Sequence, residues 1–120
     1  MLKFSTDPSS SAKDSFVRPI ENAQFIEAPL TTVDKLVSEL QLPKVPFIKM
    51  DIEGAEPKAV AGAKNTIARF RPRMALCIYH VAGDEIKVPA LVKEAFSGYQ
   101  YSKTCLCALD RVVPEVAFFY

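Results

Sequence analysis

Glycine and histidine are both scarce in this chain. Four of its 120 residues are glycine, and the first of them is Gly54. A loop that cradles a nucleotide's phosphates needs several glycines between an early strand and its helix, so no such loop lies upstream of that point. The usual first half of a nucleotide-binding fold is therefore not presented by these residues. There is one histidine, His80, and it is the one side chain here whose ordinary titration falls near neutrality. Three cysteines, Cys77, Cys105 and Cys107, cannot all pair. Cys105 and Cys107 stand two apart with no second ligand pair upstream, so the three read as reduced thiols in strands before they read as a zinc site.

An excess of one charge is also lacking. Fifteen basic residues face fourteen acidic ones, for a net charge of +1, and no long run of either sign occurs. Nucleic acid and anionic membrane are thus not expected as bulk partners. The longest apolar stretch, Met74 to Ala82 with His80 inside it, falls well short of the roughly 20 residues a membrane span needs. The opening MLKFSTDPSSSAKDS has no apolar signal core, so no export signal is read and a cytoplasmic location is expected.

The chain is 49% hydrophobic and 24% charged, the composition of one globular domain with a modest core. Residues 1–20 are polar, serine-rich and aperiodic, and read as a flexible arm or loop remnant ahead of a folded unit over 21–120. Phe25 to Ala28 suits a short strand. Thr31 or Thr32 then caps a helix with Val33, Leu36, Val37 and Leu40 on one face, stopped by Pro43 and Pro46. Val45 to Ile52 reads as a buried strand, and Val60, Ala63, Ile67 and Phe70 recur at helical spacing in a helix from Pro57 to about Phe70, where Gly62 suits close packing on a sheet. Arg73 to Tyr79 is a continuous apolar strand, which suggests a parallel sheet covered on both faces. Asp84 caps a further helix with Ile86, Val88, Leu91, Val92, Ala95 and Phe96 as apolar positions, Pro89 in its first turns and Gly98 at its exit. Tyr99 to Leu109 and Val113 to Tyr120 follow as an antiparallel pair of strands. Two parallel strands with crossover helices and a hairpin at one edge leave the other edge with unpaired backbone.

The most informative stretch is Ile48-Lys49-Met50-Asp51-Ile52-Glu53-Gly54-Ala55-Glu56. An apolar strand runs into two carboxylates and a glycine, and a helix starts at once. In open α/β sheets ligands sit beyond the carboxyl ends of parallel strands, which puts these acids where chemistry is expected. Glu56 before Pro57 also reads as a helix start, because an acid answers the positive end of the helix dipole and proline suits the first helical position. Asp51, by contrast, serves no cap at its spacing.

With Ala61-Gly62-Ala63-Lys64 and Arg71-Pro72-Arg73-Met74-Ala75-Leu76-Cys77-Ile78-Tyr79-His80, this stretch resembles the FkbM family of S-adenosylmethionine-dependent methyltransferases. The resemblance extends upstream to Thr31-Thr32-Val33-Asp34-Lys35-Leu36 and downstream through Asp84-Glu85-Ile86, Pro89, Gly98-Tyr99 and Glu115-Val116, covering about residues 27 to 120. It implies the C-terminal half of an α/β, Rossmann-like methyltransferase fold: parallel strands with crossover helices and a C-terminal antiparallel hairpin, out of a sheet of seven strands. It further implies S-adenosylmethionine as cofactor and methyl transfer to a hydroxyl-bearing small molecule or sugar. The family's first strand, its glycine-rich cofactor turn and its ribose-holding acid have no counterpart, and Val81 stands where a lysine often follows the histidine. On this reading the chain alone is expected to be inactive.

Asp51 ends one parallel strand and His80 the next, so on neighbouring strands about 5 Å apart both side chains reach one crevice. Methyl transfer from a sulfonium is an in-line displacement helped by alignment and by removal of the acceptor's proton. His80 suits the base, and Asp51 suits orienting it, taking the proton itself or pairing with the cofactor's ammonium group. Glu53 and Glu56 are candidates to hold substrate, while Tyr79 suits core packing. A magnesium or calcium site at Asp51, Glu53 and Glu56 would be a weak cage without further ligands, and no metal is expected. Two other classes of function stand beside the enzyme fragment. One is a non-catalytic interaction module that pairs through its open strand edge with a second copy or a missing N-terminal half. The other is a metal-dependent hydrolase built on the acid cluster.

Overall fold

The computed structural model describes residues 2–6, 24–108 and 111–120. Two strands, β1 (Leu2–Thr6) and β2 (Gln24–Ala28), pair antiparallel in a small sheet of their own. The expected arm over 1–20 therefore contains a strand at Leu2–Thr6, ordered by backbone pairing that no side-chain pattern announces, and the remainder of that arm lies outside the described residues. Helix α1 (Val33–Glu39) follows, then β3 (Phe47–Met50), α2 (Glu56–Ala61), α3 (Lys64–Phe70), β4 (Arg73–Cys77), α4 (Asp84–Ala95), β5 (Tyr101–Ala108) and β6 (Arg111–Phe119).

The main sheet has the order β3-β4-β6-β5. Strands β3 and β4 are parallel, with Met50 opposite Leu76, and α2 and α3 connect them. The final strand β6 runs antiparallel between β4 and β5, with Leu76 opposite Ala117, so the expected hairpin forms but its second strand goes inward. The expected turn residue Asp110 lies outside the described residues, while Arg111 already belongs to β6.

Because side chains alternate along a strand, this register sorts the sheet into two faces. Ile48, Met50, Met74, Leu76, Ala117 and Phe119 share one face, where they pack against Val60, Ala63, Ile67, Val88 and Val92 from the helical side. Phe47, Lys49, Ala75, Cys77 and Phe118 share the other. Strand β4 is buried on both faces, as its continuous apolar run predicts. Strand β3 is not, since Phe47 is 55% exposed at an edge with no further strand among the described residues. Leu36 of α1 and Leu40 at its C-terminal cap are exposed as well, and so is Ile86 of α4, which lies off the face carrying Val88 and Val92.

The helix expected from Pro57 to Phe70 is broken in two at Gly62-Ala63. The cause comes from a distant part of the chain. Ala63 offers no side-chain cap to α3, and the Asp34 carboxylate fills that role by accepting from the N–H groups of Asn65 and Thr66 at 3.0 and 2.7 Å and from the Thr66 hydroxyl at 2.6 Å. The Asp34 N–H donates in turn to the Gly62 carbonyl at 3.0 Å. A Cβ at Gly62 would meet the Thr32 side chain at 3.1 Å, so this glycine permits close packing on the start of α1 rather than on the sheet. Thr32 is itself the cap of α1, its hydroxyl accepting from the Lys35 N–H at 3.1 Å. In α4 the cap position is Gly83, not Asp84. Pro89 lies inside that helix and cannot donate to the Glu85 carbonyl; Lys103 of β5 takes the vacancy, its Nζ donating to that oxygen at 3.1 Å.

Candidate active site

Beyond the carboxyl ends of β3 and β4 the chain makes two loops that meet at His80. The first is a tight turn, Ile52 to Ala55, closed by the Ala55 N–H donating to the Ile52 carbonyl at 3.2 Å. Its central residues are both left-handed, Glu53 at φ 56° and Gly54 at φ 95°. Gly54 adopts this freely, whereas Glu53 pays about 1–2 kcal/mol for it. Glu56 makes the turn hold. One carboxylate oxygen accepts from the Ile52 N–H at 2.8 Å and the other from the Gly54 N–H at 2.9 Å, and the residue has no exposed surface. Strain of this kind persists where surrounding bonds over-determine the backbone, and here it aims the Glu53 carboxylate at His80.

The His80 side chain is 2% exposed and lies among three carboxylates. Its Nε2 is 3.4 Å from Asp51 Oδ1 and 3.4 Å from Glu53 Oε1, and its Nδ1 is 3.3 Å from Glu56 Oε1. None of these approaches has the direction of a hydrogen bond, which leaves both ring nitrogens buried without a satisfied partner. Asp51 and Glu53 are 42% and 26% exposed, so the cluster is open to solvent on the side of those two acids and closed on the side of Glu56. The Tyr79 ring lies against the imidazole, centroids 4.0 Å apart.

The surroundings are acidic. The Cys77 thiol is pushed up to about 11 by burial, then by the Asp51 charge and a hydrogen bond to it. Burial likewise raises the Tyr79 hydroxyl, with Asp51 as the next cause. Asp84 is buried with one oxygen unpartnered, and burial followed by repulsion from Glu56 raises its carboxyl above the ordinary value. Two grooves lie elsewhere. One, of 520 Å³, is lined by Asp34, Asn65 and Arg69 among others, and one of 340 Å³ runs between Thr31 and Lys58.

The fold thus brings together Asp51, Glu53, Glu56 and His80. Glu56 enters the site from behind, through the turn and the inner ring nitrogen, with no surface of its own on which to hold a substrate. Tyr79, expected in the core, is 48% exposed beside the cluster. Cys77 and Asp84 also border it; the period-2 pattern that places Cys77 two residues before Tyr79, on the same face, was the available signal. Asp51, Glu53 and His80 each offer one ligating atom, all within 4.8 Å of one another, and among the described residues this group could hold a metal ion.

A family model for the methyltransferase FkbM domain matches residues 1–102. The chain belongs to the FkbM methyltransferase family. The match begins at the start of the chain, ahead of the resemblance visible around residue 27, and ends within β5. Among solved structures, the chain is similar to the methyltransferase FkbM of Methylobacillus flagellatus KT, at 23% identity and a TM-score of 0.59. The alignment covers 86% of this chain and 25% of that one, so the likeness concerns the fold and spans about a quarter of that protein's length. A search of curated proteins finds no match. The α/β, methyltransferase-like fold expected from the sequence is the one observed. Among the described residues no helix is long and apolar enough to cross a membrane.

Proposed function

We propose that this chain carries the acceptor side of an S-adenosylmethionine-dependent methyltransferase that acts in the cytoplasm on a hydroxyl of a small molecule or sugar. One observation carries the reading: at the ends of two adjacent parallel strands, His80 Nε2 stands 3.4 Å from both Asp51 and Glu53, with Glu56 behind the ring at 3.3 Å from Nδ1. An acceptor hydroxyl presented to this cluster meets two partly exposed carboxylates able to take its proton, with the buried imidazole directly behind them, and Glu53, on its strained turn, suits holding a neighbouring hydroxyl. Glu56 positions the base.

S-adenosylmethionine, the donor that the family implies, is not matched by a self-sufficient cradle here. The chain's glycines are Gly54, Gly62, Gly83 and Gly98, and they are dispersed over separate turns. No glycine-rich turn stands at the end of a described strand to hold the nucleoside. Asp51, the most exposed member of the cluster, is the group suited to the donor's ammonium. The reading is tested by titrating a panel of sugars and other hydroxyl compounds against the chain while following the ring signals of its single histidine, with S-adenosylmethionine titrated in parallel. Acceptors are expected to move the His80 signals, and Asp51→Asn or Glu53→Gln to weaken them about tenfold or more, while the donor alone binds no tighter than about millimolar. Tight donor binding indifferent to Asp51→Asn, or acceptors that bind without moving His80, would refute it.

A second reading, an interaction module, is favoured by the unpaired outer edge of β3 among the described residues and by Phe47 exposed on that strand. Its sign would be concentration-dependent self-association, or capture of a separate glycine-rich half-domain, abolished by a charge at Phe47.

A further inference from the structure

We propose that Asp51, Glu53 and His80 form a binding site for a divalent zinc ion. In the sequence the acids available to a metal are Asp51, Glu53 and Glu56, a set without further ligands. The fold exchanges the last of these for His80, because Glu56 is buried and spends both oxygens on the turn's N–H groups. What remains is two carboxylates and an imidazole, with ligating atoms within 4.8 Å of one another.

An acidic cluster alone would say little, since exposed acids often gather without an ion. The decisive member is His80. Its side chain is 2% exposed, its Nε2 points between Asp51 Oδ1 and Glu53 Oε1 at 3.4 Å from each, and that nitrogen has no satisfied hydrogen bond. A buried polar atom left without a partner costs about 1–3 kcal/mol, and its persistence asks for an occupant. The spacing indicates which. Ligands held about 2.1 Å from a tetrahedral centre lie about 3.4 Å apart, the separation seen on both sides of Nε2. The third edge is free to close, because Asp51 and Glu53 are both partly exposed.

The charge of the cluster and the carboxylate behind the ring agree. Three carboxylates surround one imidazole, so negative charge is in surplus even with the ring protonated, and a dication removes that surplus. Metal-bound imidazoles usually give their other ring N–H to a carboxylate, which sets the tautomer. Glu56 Oε1, 3.3 Å from Nδ1 and anchored to the backbone, is the carboxylate within reach of that N–H, and a small rotation of the ring would direct the bond that neither ring nitrogen now makes. A borderline ion suits mixed nitrogen and oxygen donors better than magnesium or calcium, which prefer oxygen alone. Three protein ligands leave a fourth place open towards solvent, the arrangement of a reactive rather than a purely structural zinc. On the methyl-transfer reading, on which this last step rests, the acceptor hydroxyl would take the fourth place and give up its proton to solvent water more readily there, while His80 would hold the ion instead of that proton. Ion binding itself does not depend on that reading.

The test is a zinc titration of chelator-treated protein carrying Cys105→Ser and Cys107→Ser, so that these thiols do not compete, with neither methyl donor nor acceptor present. Binding is followed by calorimetry, and the ring nitrogens of His80 by long-range proton–nitrogen NMR, which is unambiguous because the chain has one histidine. One ion is expected to bind with a Kd on the order of micromolar or tighter, to shift Nε2 and to leave Nδ1 protonated. Asp51→Asn and Glu53→Gln should each weaken binding about tenfold or more, and Glu39→Gln on the exposed face of α1 should not. The proposal is overturned by binding no tighter than about millimolar, by binding that survives both substitutions, or by an imidazole with both nitrogens protonated that ignores the added ion. Because no methyl chemistry is involved, failure here leaves the acceptor experiment standing, and the reverse holds as well.

Discussion

Replacing Glu56 by glutamine removes one charge from the interior while keeping the side chain's shape, and the outcome follows from its two hydrogen bonds. The carboxylate accepts from the Ile52 N–H at 2.8 Å and the Gly54 N–H at 2.9 Å. An amide has a single accepting oxygen, so in either orientation its NH2 group faces one of these backbone donors. One charge-assisted bond is lost, worth about 1.5–3 kcal/mol, and a part-buried N–H is left without a partner at a further cost of about 1–3 kcal/mol. Removing a fully buried charge, and its repulsion of Asp84, returns part of that. The expected net loss is about 2–3 kcal/mol, or about 8–12 °C in Tm for a chain of this length. Thermal and urea unfolding at pH 7 should show it beside Glu39→Gln. That second carboxylate pairs with Lys35 at 3.7 Å with both side chains mostly exposed, so its loss should cost under about 0.5 kcal/mol. If Glu56→Gln costs no more than Glu39→Gln, the turn does not depend on Glu56, and the account of how Glu53 is aimed at His80 fails with it.

Asp34→Ala should cost about 2 kcal/mol, because it strips the cap from α3 and leaves the buried Thr66 hydroxyl without its partner. Partial burial pulls the Asp34 carboxyl upward, but the hydrogen bonds from Thr66 and Asn65 outweigh it and hold the group below its ordinary value. A depressed carboxyl stabilises the fold above its unfolded pKa, so the deficit of the alanine variant should be full at pH 7 and shrink as pH falls below about 4. Asp84→Asn should act oppositely. Its carboxyl is raised by burial and by Glu56, so the native state holds that proton more tightly than the unfolded chain, and ionisation weakens the fold as pH rises through the folded value. Urea unfolding should find the variant more stable at pH 7, by on the order of 1 kcal/mol, with no advantage below about pH 4. The Cys77 thiol, raised to about 11, should react with a disulfide reagent at pH 8 far more slowly than exposed Cys105, and Asp51→Asn should accelerate it. Equal rates in the two backgrounds would show that Asp51 does not govern that thiol.

Much of the fold is legible in the chain because its signals are local. Apolar runs at Phe47 to Met50 and Met74 to Ile78, helical spacing through Val60, Ala63 and Ile67, and threonine and proline at helix starts each act within a few residues, and they set the order of strands and helices without outside help. The same holds for the acids at Asp51 and Glu53 and for the lone histidine, which follow the ends of two successive strands.

Contacts between remote residues decided the rest. The pattern through Gly62 continues as a helix, and it breaks because Asp34, more than 30 residues away in sequence, caps a second one. The register of β6 against β4 rather than beside β5 alone depends on which sheet edge buries Phe119 against Tyr99 and Tyr101, a choice no strand makes by itself. Glu56 carries the signal of a helix start, and by sequence alone nothing distinguishes that from a residue that closes a strained turn and stands behind an imidazole. Local chemistry therefore determined which elements form and which reactive groups end them. The tertiary structure decided which of those groups face one another, because burial of His80 among three carboxylates requires two loops, set 24 or more residues apart in the chain, to close on the same point.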